Sequence, residues 1–273
     1  MFEVRRHRTT LGGIWVTAEV LFHTTVHSIR SKHNNAFVAV ALSLLQVVVF
    51  VLAFYVMFHL LQLRGAAIRG DFLLYVLSGI FLYLLHIKAI GAVAGAEGLN
   101  SPMMLHSRMN SFIMILSAAL GVLYIKALTL VVILFGYHVI FTPVYIYDPI
   151  GAIGMVLLAW FTGMAIGLLF LVAKPWAPDV IGIARTVYQR ANMIASGKMF
   201  LANTLPSYML VMFDWNPLFH CIDQSRGFVF INYNPHFSSW EYAFWLAVIM
   251  IVIGMMGEFF TRRRMSASWS ARR

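Results

Sequence analysis

Apolar runs of roughly membrane-crossing length, broken by short polar segments, set the pattern of this chain. They cover residues 36–63, 72–90, 120–142, 150–172 and 240–260, and a more polar sixth run covers 180–201. A helix needs about 20 mostly apolar residues to cross a bilayer. The pattern therefore predicts an all-α, polytopic membrane protein with six transmembrane helices. As a helix the first run reaches about 42 Å at ~1.5 Å per residue, so it must tilt or protrude. Lys88 falls near the exit of the second span, and Lys126 one and a half turns into the third. Gly151, Gly154, Gly163 and Gly167 on the fourth predict close helix contacts. The run at 180–201 carries Arg185, Gln189, Arg190, Asn192, Ser196 and Lys198. An ionisable group facing lipid costs about 2.5–3.5 kcal/mol at the bilayer centre on insertion scales, so this helix must face protein or water.

Residues 203–235 break the pattern. They are apolar and aromatic, but Pro206 and Pro217 each stop a helix arriving from the N-terminal side and can start a new one. Asn216 is placed to cap the second. Two short helices follow, about 206–213 and 217–230, with a turn at 214–216; neither is long enough to cross. Non-helical backbone at membrane depth is tolerated only where protein or a water-filled cavity covers it. The expectation is a re-entrant helical hairpin between the fifth and sixth spans.

Ahead of the spans, residues 1–35 form a basic tail and an amphipathic helix. Leu11, Ile14, Trp15, Leu21, Phe22, Val26 and Ile29 fall on one face, and Thr17, Glu19, His23, Thr24, His27 and Ser28 on the other. That is the pattern of a helix lying in the membrane interface. Residues 36–273 make up the membrane domain. The segment 91–117, with Glu97, Pro102, His106 and Arg108, is too polar to span and suits a short helix on the cytoplasmic face.

Composition agrees with this. The chain is 61% hydrophobic and only 11% charged, against about 25% charged in soluble domains. The net charge of +10 sits mainly at the termini, which reads as a topology signal and argues against nucleic acid. With both termini inside, Arg5, Arg6, Arg8, Arg30, Lys32, Arg108, Lys174, Arg185 and the five C-terminal arginines are cytoplasmic, and only Arg64, Arg69 and Arg226 are outside. Both ends in the cytoplasm require an even number of crossings. No signal-peptide cleavage pattern is read at the N-terminus. The lone Cys221 excludes an internal disulfide.

Ser196-Gly197, Phe200, Leu205-Pro206, Trp215-Asn216-Pro217 and Arg226 resemble the closing signature of type-2 ABC exporter permeases, closest to the membrane subunits that export capsular polysaccharide or O-antigen. The resemblance implies a homodimer in the cytoplasmic (inner) membrane, with the transport path at the dimer interface and two copies of a separate ATP-binding subunit beneath. It implies a lipid-linked polysaccharide substrate, and places ATPase coupling in the segment with Pro102, His106 and Arg108. Export of a small lipid or drug is the close alternative; an intramembrane enzyme acting on lipid-linked sugars, and a channel or scaffold, are more distant ones.

The chain has no Walker A loop: its Gly197-Lys198 is followed by Met199. It also lacks metalloprotease, hydrolase-elbow and clustered-cysteine patterns, so no catalytic residue, cofactor or metal is expected. His23 and His27 stand one turn apart without a third ligand. Aromatic rings offer flat apolar faces to sugars, which makes Phe50, Phe54, Tyr55, Tyr188, Trp215 and Phe219, with Tyr208 and Phe213, candidates for lining a path. Arg190 and Lys198, with Arg185, are candidates to meet phosphate or acidic sugars. Pro206, Asn216, Pro217, Asp223 and Arg226 form the hairpin signature, and Asp223 and Arg226, three apart on one helix, are expected to pair.

Overall fold

Residues 10–32, 35–60, 71–96 and 111–270 are described by a computed structural model of the chain. Among them every regular element is helical. In order they are α1 (Thr10–Lys32), α2 (Ala36–Leu60), α3 (Phe72–Ala94), α4 (Ser111–Ile140), α5 (Pro149–Ala173), α6 (Pro178–Ala195), a 3-10 turn (Ala202–Thr204), α7 (Ser207–Phe213), α8 (Pro217–Val229) and α9 (Trp240–Ser270). Helices α2, α3, α4, α5 and α9 are long and apolar enough to cross a membrane. The chain is an all-helical, multi-pass membrane protein.

The pattern predicts six such helices; five are present among the described residues. The helix in the fifth expected position, α6, stops at Ala195, and its polar side chains exclude it from the apolar set. The backbone then turns, with Gly197 at φ 73°, where a side chain is strained.

Two boundaries also move. Helix α3 continues to Ala94, past the expected end at 90. Helix α4 begins at Ser111, because Ile115 and Ala119 pack with Val93 and Leu168 in a core of their own. Lys126 therefore lies about four turns into its helix at ~3.6 residues per turn, not one and a half. Both ends of the segment expected to hold a cytoplasmic helix, 91–94 and 111–117, thus belong to α3 and α4, and 97–110, with Pro102, His106 and Arg108, lies outside the described residues.

Helices α3 and α5 form the centre. A Cβ added at Gly163 would lie 2.7 Å from the His86 carbonyl, and one at Gly167 3.0 Å from that of Ile90. The two backbones touch because these glycines, one turn apart, present no side chain. Gly151 likewise receives the Phe228 ring, whereas Gly154 faces open space. On the other side of α5, Leu168 and Val172 rest on Gly254 and Gly257 of α9. Helix α8 wedges among α3, α5 and α9, while α2 and α4 cover α3.

Helix α1 packs along α4, with Ile29 against Gly121. It leaves Ile14, Trp15 and Phe22 exposed and buries Thr24, which was expected on the polar face and instead donates to the Val20 carbonyl. Helix α6 touches the edges of α3 and α5 and meets the α8 cap at its end, and Val180, Ile183, Val187 and Ile194 are exposed.

At the far end of the bundle Asp71 caps α3. Its carboxylate accepts from Tyr137, from the Thr142 hydroxyl at 3.0 Å and from the Leu73 amide at 3.0 Å. Burial alone raises its pKa, but these hydrogen bonds outweigh it and hold the carboxyl below its usual range. Asp148 caps α5 in the same way, accepting from the Ile150 and Gly151 amides.

Candidate functional site

The candidate site is the broken segment between α6 and α9, built around one guanidinium. Arg226 on α8 is fully buried. Its Nη1 donates to the carbonyls of Gly197 at 2.8 Å and Phe200 at 2.7 Å, and its Nη2 to that of Lys198 at 2.8 Å. These are carbonyls that a helix continuing through 196–201 would use itself; the turn frees them, and the planar fork of the arginine collects them. The guanidinium also lies over the Tyr75 ring, 4.2 Å from its centroid. Gly79 on α3 makes room: a Cβ there would stand 2.8 Å from Arg226 Nη2 and 3.0 Å from Lys198 Cα.

The expected Asp223–Arg226 pair is not formed, because each side chain has other partners. Asp223 accepts from Tyr233, from the Ser238 hydroxyl at 2.7 Å and from the Ala202 amide at 3.4 Å. Burial, and then the charge and hydrogen bond of Asp223, push the Tyr233 phenol well above its usual pKa, so it remains a donor. One turn of α8 thus holds the incoming chain with Arg226, and with Asp223 both the outgoing chain and the Ala202 amide.

Asn216 works as expected and further. Its Oδ1 caps α8 by accepting from the Leu218 amide at 3.1 Å, and its Nδ2 donates to Asn192 Oδ1 and the Ala195 carbonyl, both at 2.9 Å. The cap of α8 is therefore tied to the end of α6. His220 accepts at Nδ1 from the Ser239 amide (3.0 Å), which puts its proton on Nε2, facing the Asp214 carbonyl at 2.7 Å. The segment also closes on itself. Asn203 donates to the Asn234 carbonyl at 2.7 Å and accepts from the His236 amide at 3.2 Å. Its two ends are adjacent.

Lys198 follows the turn into the core. It is 2% exposed, and its ammonium has no hydrogen-bond partner among the described residues. It faces three rings instead: Tyr83 at 3.6 Å, Phe54 at 4.8 Å and Phe50 at 5.9 Å. Such cation–π contacts partly replace lost water.

Of the path candidates, Phe50, Phe54 and Lys198 thus come together. Phe219 is buried against Gly197 and Phe213. Tyr188 is elsewhere, tilted against His86 and 3.4 Å from its Nε2. Tyr55 lies tilted against Phe72, with ring centroids 6.1 Å apart. Trp215 is exposed and donates to the Met212 carbonyl. Arg190 is exposed on α6. Pro206 and Pro217 stand at the starts of α7 and α8.

Sequence reasoning missed Tyr75, Gly79 and Tyr83, whose positions inside an apolar span look like ordinary filling. It also missed Tyr233, Ser238 and Asn203. One signal was available: a buried Asp223 and Arg226 each need several partners, and polar residues cluster on either side of the hairpin. Among known protein families and curated proteins, no match to this chain is found.

Proposed function

We propose that this chain is the membrane subunit of an ATP-driven ABC exporter that moves a capsular or O-antigen-type polysaccharide, carried on a lipid, across the cytoplasmic membrane. Two copies form the path, and two separate ATP-binding subunits drive it. Helix α6 serves as the sixth crossing: its 18 residues reach about 27 Å at ~1.5 Å each, close to the hydrocarbon thickness of ~30 Å. Its polar side faces the path or the twin subunit rather than lipid. Helices α7 and α8 form the re-entrant hairpin, and both termini are cytoplasmic.

The observation that carries this reading is the stitching of Asn203 to Asn234 and His236. A segment whose ends are hydrogen-bonded to each other starts and finishes at one membrane level, which is the topology the hairpin signature implies. Lys198 and its rings sit directly behind that segment. A movement of α2 away from α3 opens the cage and presents an ammonium with aromatic neighbours to an acidic or phosphorylated glycan.

Two experiments test the reading. Thr204→Cys, which leaves the Asn203 stitching in place, and Pro235→Cys, labelled in intact cells by a membrane-impermeant thiol reagent, are expected to react from the same side; reaction from opposite sides removes the hairpin. Copurification with an ATPase whose turnover rises with defined lipid-linked glycans is expected. A chain that works without a nucleotide-driven companion ends the export reading.

A further inference from the structure

A second buried ammonium has no such cage. Lys126, about four turns into α4, is 3% exposed, and its Nζ has no hydrogen-bond partner among the described residues. The neighbouring charge that acts on it is another cation, Lys88 of α3. The two lie at a similar depth, since Val93 of α3 packs at the level of Ile115 and Ala119 of α4. Lys88 precedes Val93 by about a turn and a half and Lys126 follows Ala119 by about two, along helices that run in opposite directions through that contact. Lys88 itself is exposed, so one of the two is reachable from outside the chain, while Lys126 is enclosed.

Among the described residues no carboxylate pairs with either of them; Glu258 of α9, one turn past the Met255 that packs on the Val93 core, has a buried Oε1 without a hydrogen-bond partner there but is bridged to neither lysine. Helices α2, α3, α4 and α5 contain no Asp or Glu. On the other helices packed against α3 and α4, Glu19 of α1 is exposed beside His23. Asp223 of α8 is engaged by Tyr233 and Ser238, and Asp179 is exposed in the first turn of α6. Two like charges at membrane depth, one of them desolvated, repel each other and lose hydration unless an anion joins them.

We propose that Lys88 and Lys126 form a binding site for the phosphate group of an anionic lipid, reached through the exposed Lys88 side. Lys88 sits about 9 Å inside the end of α3 at ~1.5 Å per residue, a depth a headgroup phosphate reaches when two ammonium groups draw it inward. Lys126 supplies the buried donor and Lys88 the gate to it. The inference goes beyond the export reading and does not need it: it concerns a resident or passing lipid, whatever the chain transports.

The test uses the full chain in nanodiscs of phosphatidylcholine alone or with added phosphatidic acid, read by thermal unfolding. Phosphatidic acid is expected to raise the Tm of the wild-type chain. Lys126→Met, which keeps the side-chain length, is expected to lose that rise while unfolding at or above the wild-type Tm in phosphatidylcholine alone. Lys126→Arg is expected to retain a rise, and Lys88→Met to reduce it. Equal rises in wild type and Lys126→Met overturn the site, as does a Lys126→Met chain that is less stable than wild type in neutral lipid. Inorganic phosphate at the same concentration is expected to have no effect; if it reproduces the full rise, the lipid assignment fails. No ATPase is present, so neither result bears on export.

Discussion

Three buried cations can be compared across two regions of this molecule. In the segment between α6 and α9, Arg226 is fully enclosed and meets three carbonyls and a ring. Lys198, next to those carbonyls, trades hydrogen bonds for aromatic faces. In the seam between α3 and α4, Lys126 has neither, and its charged neighbour is Lys88. A buried charge stabilises a fold only when its desolvation is repaid by geometry. The first region therefore uses a cation as a structural tie. The second holds one in reserve for something not part of the chain.

The strongest way to break this contrast is Arg226→Ala. It leaves three carbonyls without a donor and removes the tie between α8 and the turn at 197–200. Breaking a buried polar network of this kind costs about 3–5 kcal/mol. Thermal unfolding in detergent should show a large loss of stability, and amide exchange should rise first at residues 196–202. An unchanged Tm with normal protein level removes the structural role.

Gly79→Ala should come next. The new methyl meets Arg226 Nη2 and the Lys198 backbone at 3.0 Å or less, and such overpacking costs about 1–3 kcal/mol. A neutral outcome means that α3 and the turn are less closely joined than the geometry requires.

Lys198→Met sharpens the comparison with Lys126→Met. The first gives up the ring contacts and is expected to destabilise by about 0.5–2 kcal/mol; the second, in neutral detergent, is expected to be neutral or stabilising. Equal effects of the same sign would mean that the rings around Lys198 contribute nothing.

The smallest effect belongs to Asp71. Its carboxyl titrates below the usual range in the folded chain. Its contribution is therefore complete above the unfolded value near 3.8 and fades as pH falls through the lower folded value. Asp71→Asn should remove that part of the acid sensitivity and leave stability at neutral pH only slightly reduced. An unaltered acid limb in the variant refutes the assignment.

Much of the architecture was legible without coordinates. The five long apolar helices follow from hydropathy alone. The break at Pro206, the start of α8 at Pro217 and its Asn216 cap follow from local backbone chemistry. Such features depend on residues within a turn of each other, or on contact with a solvent that reads only average polarity. Two of the misreadings share a cause. Helix α4 starts early because Ile115 and Ala119 find Val93 and Leu168, contacts far away in the chain. Asp223 and Arg226 stand at pairing distance along α8, yet longer-range partners with better geometry take both.

Hydropathy and proline placement are enough to put this chain in a membrane as a bundle of helices and to fix where its penultimate segment must break, because lipid forbids unpaired backbone and proline forbids a continuous helix. Which buried charges are satisfied is settled by contacts between distant helices. That depends on carbonyls, rings and carboxylates brought in from other helices. A lysine in an apolar run reads the same in sequence whether it will meet three aromatic rings or another lysine.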